Sequence, residues 1–137
     1  MIIDPGHFHA ALSLKEPHRD ISSEVFVYAP EGPELDQFLS IVNSFNVRQV
    51  NPTQWNLQVY KGKDFLEAST REKKGDIAII AGKNNTKMDT IQRLHEAGFH
   101  ILADKPLIIS NSKLELLFNT LHKPSPLLMD IMTGRHE

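Results

Sequence analysis

The chain has 137 residues, 40% hydrophobic and 23% charged, with a formal charge of −2 from 15 Lys and Arg against 17 Asp and Glu. This is the balance of one globular domain, long enough to bury roughly two-thirds of the surface its unfolded chain exposes. The absence of cysteine excludes disulfides, thiolate metal sites, iron–sulfur ligation and a cysteine nucleophile. No basic run tracks a phosphate backbone, so nucleic acid is not an expected partner. The longest apolar stretches, Ile77 to Ala81 and Leu127 to Met132 interrupted by Asp130, fall far short of a membrane span. The N-terminus lacks a basic segment followed by a long apolar one, so a soluble, untargeted, cytoplasmic protein is expected.

Short apolar runs alternate with amphipathic segments, the pattern of parallel strands joined by crossover helices. The first run, Met1 to Asp4, begins abruptly enough to suggest strand residues upstream, and it ends at Pro5-Gly6. Glu24 to Ala29 is β-branched and aromatic and is bounded by turn residues, so it reads as the second strand. Glu34 to Asn46 carries Leu35, Phe38, Leu39, Val42 and Phe45 at spacings of three and four, a helix with one apolar stripe. Residues 47 to 57 are polar and aperiodic and read as a loop before a short strand at Gln58 to Tyr60.

A helix is expected over Lys63 to Lys73, with Phe65 and Leu66 turned inward. Asp76 to Ala81 is continuously apolar after its first residue, as a strand covered on both faces should be. Asn85 or Thr86 is placed to cap a helix over Lys87 to Ala97, on which Met88, Ile91, Leu94 and His95 share a face and after which Gly98 supplies the stop. Phe99 to Ala103 is the fifth strand, Lys113 to Leu121 a helix and Leu127 to Ile131 the sixth strand. The expected fold is therefore α/β: a doubly wound, mostly parallel, Rossmann-like sheet of about six strands. Its ligand should lie beyond the carboxyl ends of the strands, near the point where the strand order reverses.

The turn after the first strand, Asp4-Pro5-Gly6-His7-Phe8-His9-Ala10-Ala11, holds one glycine. A dinucleotide fingerprint needs a glycine for the tight turn, a second where the backbone meets pyrophosphate and a small third residue for helix packing. With Gly6 in the first role, Phe8 stands in the second and Ala11 in the third. A phosphate loop and a plain strand-to-helix turn explain this motif about equally well. His7 and His9 alternate, and Asp4 offers a third donor, yet nothing in the spacing forces a further ligand nearby; they are expected not to hold a metal. One histidine is expected to line the cofactor cleft and the other to pack locally.

His18-Arg19-Asp20 matches the kinase catalytic triplet, but Val25 stands where that loop needs Asn and no glycine-rich loop precedes it. Asn84-Asn85-Thr86 fits a glycosylation sequon and equally a helix start. Glu31 follows the second strand, where an acid can accept hydrogen bonds from an adenosine ribose and an Arg would instead favour a 2′-phosphate. A solvated turn residue is the equal alternative for Glu31.

Residues 75 to 106 run strand, polar turn, helix with Ala97-Gly98, strand, then Asp104-Lys105-Pro106. This stretch resembles the core of the Gfo/Idh/MocA family of NAD(P)-dependent oxidoreductases, which includes glucose–fructose oxidoreductase and inositol dehydrogenase. The family segment typically ends Glu-Lys-Pro, and here Asp104 replaces the Glu. The resemblance implies that Lys105 is the catalytic lysine beside nicotinamide and substrate, with Pro106 setting its direction through a cis-compatible or sharply turned peptide. It implies further that the cofactor is NAD or NADP, contacted by Gly6, His7, Phe8, His9, Glu31, Asn84, Asn85, Asp104 and Pro106. Phe8 is the main departure, because a side chain in the second position would push a dinucleotide outward or exclude it.

The family also carries a C-terminal α/β substrate domain that supplies further acid and base residues. Residues 1 to 137 are expected to be the cofactor half alone, inactive on its own and open to self-association on the exposed face. Asp130 to Glu137 would lead toward the second domain, with Arg135 or His136 facing the cleft. Two functions stay open. One is the cofactor domain of an oxidoreductase transferring a hydride to or from a sugar, cyclitol or related polyol. The other is a non-catalytic Rossmann-like binding module whose Phe8 fills the pyrophosphate channel.

Overall fold

The computed structural model describes residues 1 to 131. Six strands form one all-parallel sheet: β1 (Ile2–Ile3), β2 (Glu24–Ala29), β3 (Asn56–Lys61), β4 (Ile77–Ile80), β5 (His100–Asp104) and β6 (Leu128–Ile131). The helices between them are α1 (His9–Leu12), α2 (Pro33–Val47), α3 (Phe65–Glu72), α4 (Asn84–Glu96) and α5 (Leu114–Leu121), the last preceded by a 3₁₀ turn at Asn111–Lys113. The strand order is β3-β2-β1-β4-β5-β6, so the winding direction reverses between β1 and β4. This is the doubly wound Rossmann order.

Alternation along the strands builds two cores, one on each face of the sheet. Ile2, Val25, Val27 and Ala29 face Ala10 and Ala11 of α1 and Leu35, Phe38 and Val42 of α2. Ile3, Tyr28, Ala78, Ile80, Ile101 and Ala103 face Ala68 of α3 and Met88, Ile91 and Leu94 of α4, with Leu116 and Leu117 of α5 packed against them. Ile79 packs on the first core and Ala78 and Ile80 lie in the second, so β4 is covered on both faces as its apolar run implies.

The bounds of β3 and α4 differ from the sequence reading for identifiable reasons. β3 extends to Asn56–Lys61 and pairs with β2 along all six residues. It is an edge strand with alternating exposure, and its exposed polar positions hide the period. The loop before it is pinned by Asn46, whose Oδ1 accepts from the Thr53 hydroxyl at 2.7 Å and from the Trp55 amide at 2.9 Å. α4 begins at Asn84, three residues earlier than expected, with Lys83 at the cap and no side chain capping it. Neither Asn85 nor Thr86 caps the helix, and Asn84 instead accepts from the Lys87 ammonium at 2.7 Å. Gly98 ends α4 as expected, with a φ of 85° that favours glycine. Among the described residues no helix is long and apolar enough to cross a membrane.

Candidate functional site

A cleft of about 320 Å³ opens over the carboxyl ends of β1, β2 and β4, at the point where the strand order reverses. Three turns and one helix start line it. Asp4, Pro5, Gly6 and His7 come from the turn after β1, and Ala29, Pro30 and Glu31 from the end of β2. Ala81, Gly82, Lys83 and Asn84 follow β4, and Glu34 and Leu35 open α2. The position follows from topology: crossovers leaving β1 toward one side and β4 toward the other leave the strand ends between them uncovered.

The turn after β1 has a different register from the one the lone glycine suggested. The left-handed residue is Asp4, with φ 47°, directly after the strand. Its amide still extends the ladder by donating to the Tyr28 carbonyl at 3.0 Å. Asp4 therefore fills the tight-turn role that sequence reading gave to Gly6. Gly6 sits two residues on, facing the cleft, and α1 starts at His9. Phe8 itself caps α1, is half exposed and stands outside the cleft lining.

The Asp4 side chain lies over Gly82, where a Cβ would run into the carboxylate and come within 2.9 Å of the Asp4 Cβ. Burial pushes the Asp4 carboxyl up from its ordinary value, and Glu34 adds to this. The Lys83 backbone N–H and the Lys83 and Lys87 charges pull the other way. Around Gly6 there is room: an added Cβ would meet the Ala81 carbonyl oxygen only at 3.5 Å, ordinary contact.

Beside the cleft, at the end of β5, Asp104 collects both histidines of the β1 turn. Its Oδ1 accepts from His9 Nδ1 at 2.9 Å, and its Oδ2 lies 3.1 Å from His7 Nδ1 in an ion-pair contact. Residues two apart in a helix point about 200° away from each other. His7 precedes α1, however, and the two imidazole centroids come to 4.4 Å. The expectation that one histidine lines the cleft and the other packs locally holds, with His7 at the cleft and His9 largely buried. The premise that no further donor is brought near them does not hold, because Asp104 is that donor.

Lys87 is the residue that sequence reading missed. It is 2% exposed, and its ammonium donates to the Asp104 carbonyl oxygen at 2.8 Å as well as to Asn84. Burial lowers its pKa, against the charges of Asp104 and Asp4. A signal was available, since Lys87 precedes Ile91 and Leu94 by four and seven residues and so lies on the apolar face of α4.

Of the other expected site residues, Gly6, His7, Glu31 and Asn84 line the cleft. Asn85 is exposed in the first turn of α4, and Asp104 is spent on the histidines. Lys105 and Pro106 follow β5, exposed, at the same end of the sheet and joined by a cis peptide. Arg135 and His136 lie outside the described residues.

Two known proteins share this fold. A protein from Parabacteroides merdae, provisionally designated an oxidoreductase, has a crystal structure that superimposes with a TM-score of 0.94 at 44% identity, covering 99% of this chain and 32% of that one. An oxidoreductase from Sinorhizobium meliloti shares the fold with a TM-score of 0.63 at 16% identity, covering 94% of this chain and 35% of that one. The chain thus spans about a third of the length of these proteins. No curated protein matches it. Residues 8–129 match the oxidoreductase family Gfo/Idh/MocA, described by its NAD-binding Rossmann fold. The strand order, the cleft at its reversal and this match over most of the chain agree: the chain belongs to the Gfo/Idh/MocA oxidoreductase family and comprises its NAD-binding Rossmann domain.

Proposed function

We propose that the chain is the cofactor-holding part of an oxidoreductase that acts on a hydroxyl carbon of a sugar, cyclitol or related polyol and prefers NAD to NADP. The observation that carries the cofactor reading is the cleft at the β1/β4 reversal. Its residues fit a dinucleotide. Gly6 brings backbone without a side chain to the cleft, and the amino end of α4 and Lys83 bring positive potential to the same cleft.

The pyrophosphate would be held by Gly6, Lys83 and Asn84, with His7 beside it, and the adenosine ribose by Glu31. The bound nicotinamide supplies the hydride chemistry. Lys105, past the end of β5, would present its ammonium to a substrate oxygen and steady the charge that develops there as the hydroxyl proton leaves. His9 and Lys87 keep Asp104 in place, one through the carboxylate and one through the carbonyl, and so fix the strand end from which Lys105 projects. The remaining acid and base groups would come from a substrate domain beyond these 137 residues, and turnover should require it. The non-catalytic alternative depends on Phe8 filling the pyrophosphate channel, and Phe8 stands outside the cleft.

The coenzyme preference follows from charge. Glu31 and Glu34 both line the β2 side of the cleft. A 2′-phosphate there meets two carboxylates, and about 1.4 kcal/mol of repulsion already gives tenfold. NAD is therefore expected to bind at least about tenfold more tightly than NADP at low salt, and Glu31→Arg to narrow that ratio, as read by calorimetric titration of both coenzymes. Equal affinities, unmoved by Glu31→Arg, would remove Glu31 from the ribose site. Reduction of NAD by the full-length enzyme with a panel of polyols tests the substrate class, and activity confined to non-hydroxylated substrates would overturn it.

A further inference from the structure

We propose that His7, His9 and Asp104 form a binding site for one divalent transition-metal ion of the zinc class, at the edge of the cleft with which it shares His7. Three observations carry it.

The first is the donor set. Two imidazole nitrogens and a carboxylate oxygen from residues 95 and 97 positions apart in sequence come within 4.8 Å of one another. Neutral imidazole and carboxylate are the ligands that zinc and its neighbours take in sites retaining open positions.

The second is spacing. Metal–ligand bonds of about 2.1 Å at right angles place neighbouring ligand atoms about 3.0 Å apart, and at tetrahedral angles about 3.4 Å. Each imidazole already lies at such a distance from an Asp104 oxygen, His9 at 2.9 Å from Oδ1 and His7 at 3.1 Å from Oδ2, and one donor atom from each residue lies within 4.8 Å of the other two, so side-chain rotation alone can bring the three onto one ion.

The third is support and access. Asp104 is buried, and Lys87 holds it by its main-chain carbonyl, leaving both carboxylate oxygens to the histidines. His9 starts α1, whose Ala10 and Ala11 are fully buried in the core. Ligands fixed in this way lose little freedom on binding an ion. The His7 side chain is 47% exposed and lines the cleft, so an ion has an entrance, and its open positions face the ligand space.

Without an ion, the His9 Nδ1–H donates to the carboxylate, which can only accept. Loading moves the His9 imidazole proton from Nδ1 to Nε2 and takes His7 as its Nε2–H tautomer, so that both Nδ1 lone pairs meet the ion with no net change in imidazole charge. The His9–Asp104 hydrogen bond is exchanged for two metal–nitrogen bonds and one metal–oxygen bond.

The test uses the purified protein stripped with a chelator, then dialysed against zinc chloride and assayed for metal by elemental mass spectrometry. Cobalt chloride serves as a spectroscopic second probe. One zinc per chain is expected to be retained, and cobalt to give visible ligand-field absorption. His7→Ala and Asp104→Asn should each weaken binding by at least about tenfold. His18→Ala, which changes an exposed histidine away from the cluster, should leave binding unchanged. The partial exposure of His7 makes His7→Ala the variant that preserves the fold, and a thermal melt of each variant verifies this. Wild-type binding no stronger than that of folded His7→Ala, or loss equally great in His18→Ala, would overturn the proposal and leave the cluster a hydrogen-bonded brace for Asp104.

Discussion

In the oxidoreductase we propose, Lys105→Met is expected to lower the rate of the chemical step about a hundredfold, near 2.7 kcal/mol of transition-state stabilisation, with NAD affinity essentially unchanged. The separation of effects follows from where the residues stand. Lys105 follows β5, whereas the cleft lining comes from the turns after β1, β2 and β4 and the start of α2. Methionine retains much of the lysine stem's length and apolar contact and removes only the charge. Lys105 is exposed, so the substitution leaves no buried group unpaired. Stopped-flow measurement of nicotinamide absorbance, set beside an equilibrium titration of the coenzyme, reads the two quantities separately. Near-normal turnover, or a loss explained by failure to bind NAD, would withdraw the catalytic role from Lys105.

Gly82→Ala is expected to cost about 1–3 kcal/mol of stability, because the new methyl enters space held by the Asp4 carboxylate and neither backbone can readily yield. Asp4 is fixed in a left-handed turn, and Gly82 directly precedes the cap of α4. The cost should fall by at least about 1 kcal/mol when Asp4 is first changed to Gly, which takes φ 47° freely and has no side chain to displace. Denaturant unfolding of the two single variants and the double variant measures this coupling. An alanine penalty that is the same in both backgrounds would show that the Asp4 side chain does not fill the space above Gly82.

The fold was legible because its signals are local. The run at Ile77 to Ile80, the stripe of Met88, Ile91, Leu94 and His95, and Gly98 after it each state their structure within a few residues. Edge strand β3 was only half legible because exposed residues alternate with partly covered ones along it. The early start of α4 was hidden because Asn84 and Asn85 read as turn formers, while one of them bonds to a buried lysine.

The site divides in the same way. That Gly6, Glu31 and Asn84 line the cleft was legible because clefts in a doubly wound sheet lie at strand ends, which sequence locates. The register of the first turn was not legible: a lone glycine draws the fingerprint onto itself, whereas the chain places Asp in the left-handed position. Nor was the cluster of Asp104 with His7 and His9, since no local pattern links residues about a hundred positions apart that meet only once β5 has paired beside β4.

The central claim, that the cleft at the β1/β4 reversal holds the dinucleotide with Gly6 and not Phe8 at its phosphate-facing turn, is tested most directly by calorimetric titration of NAD into three forms of the protein. The wild type should bind one NAD per chain. Phe8→Gly should bind it with similar affinity, because Phe8 lies outside the lining. Gly6→Ala, whose methyl the protein itself accommodates at ordinary contact distance, should melt normally yet bind at least about tenfold more weakly, a loss of about 1.4 kcal/mol. No binding by the wild type, wild-type affinity in Gly6→Ala, or binding that appears only in Phe8→Gly would contradict it.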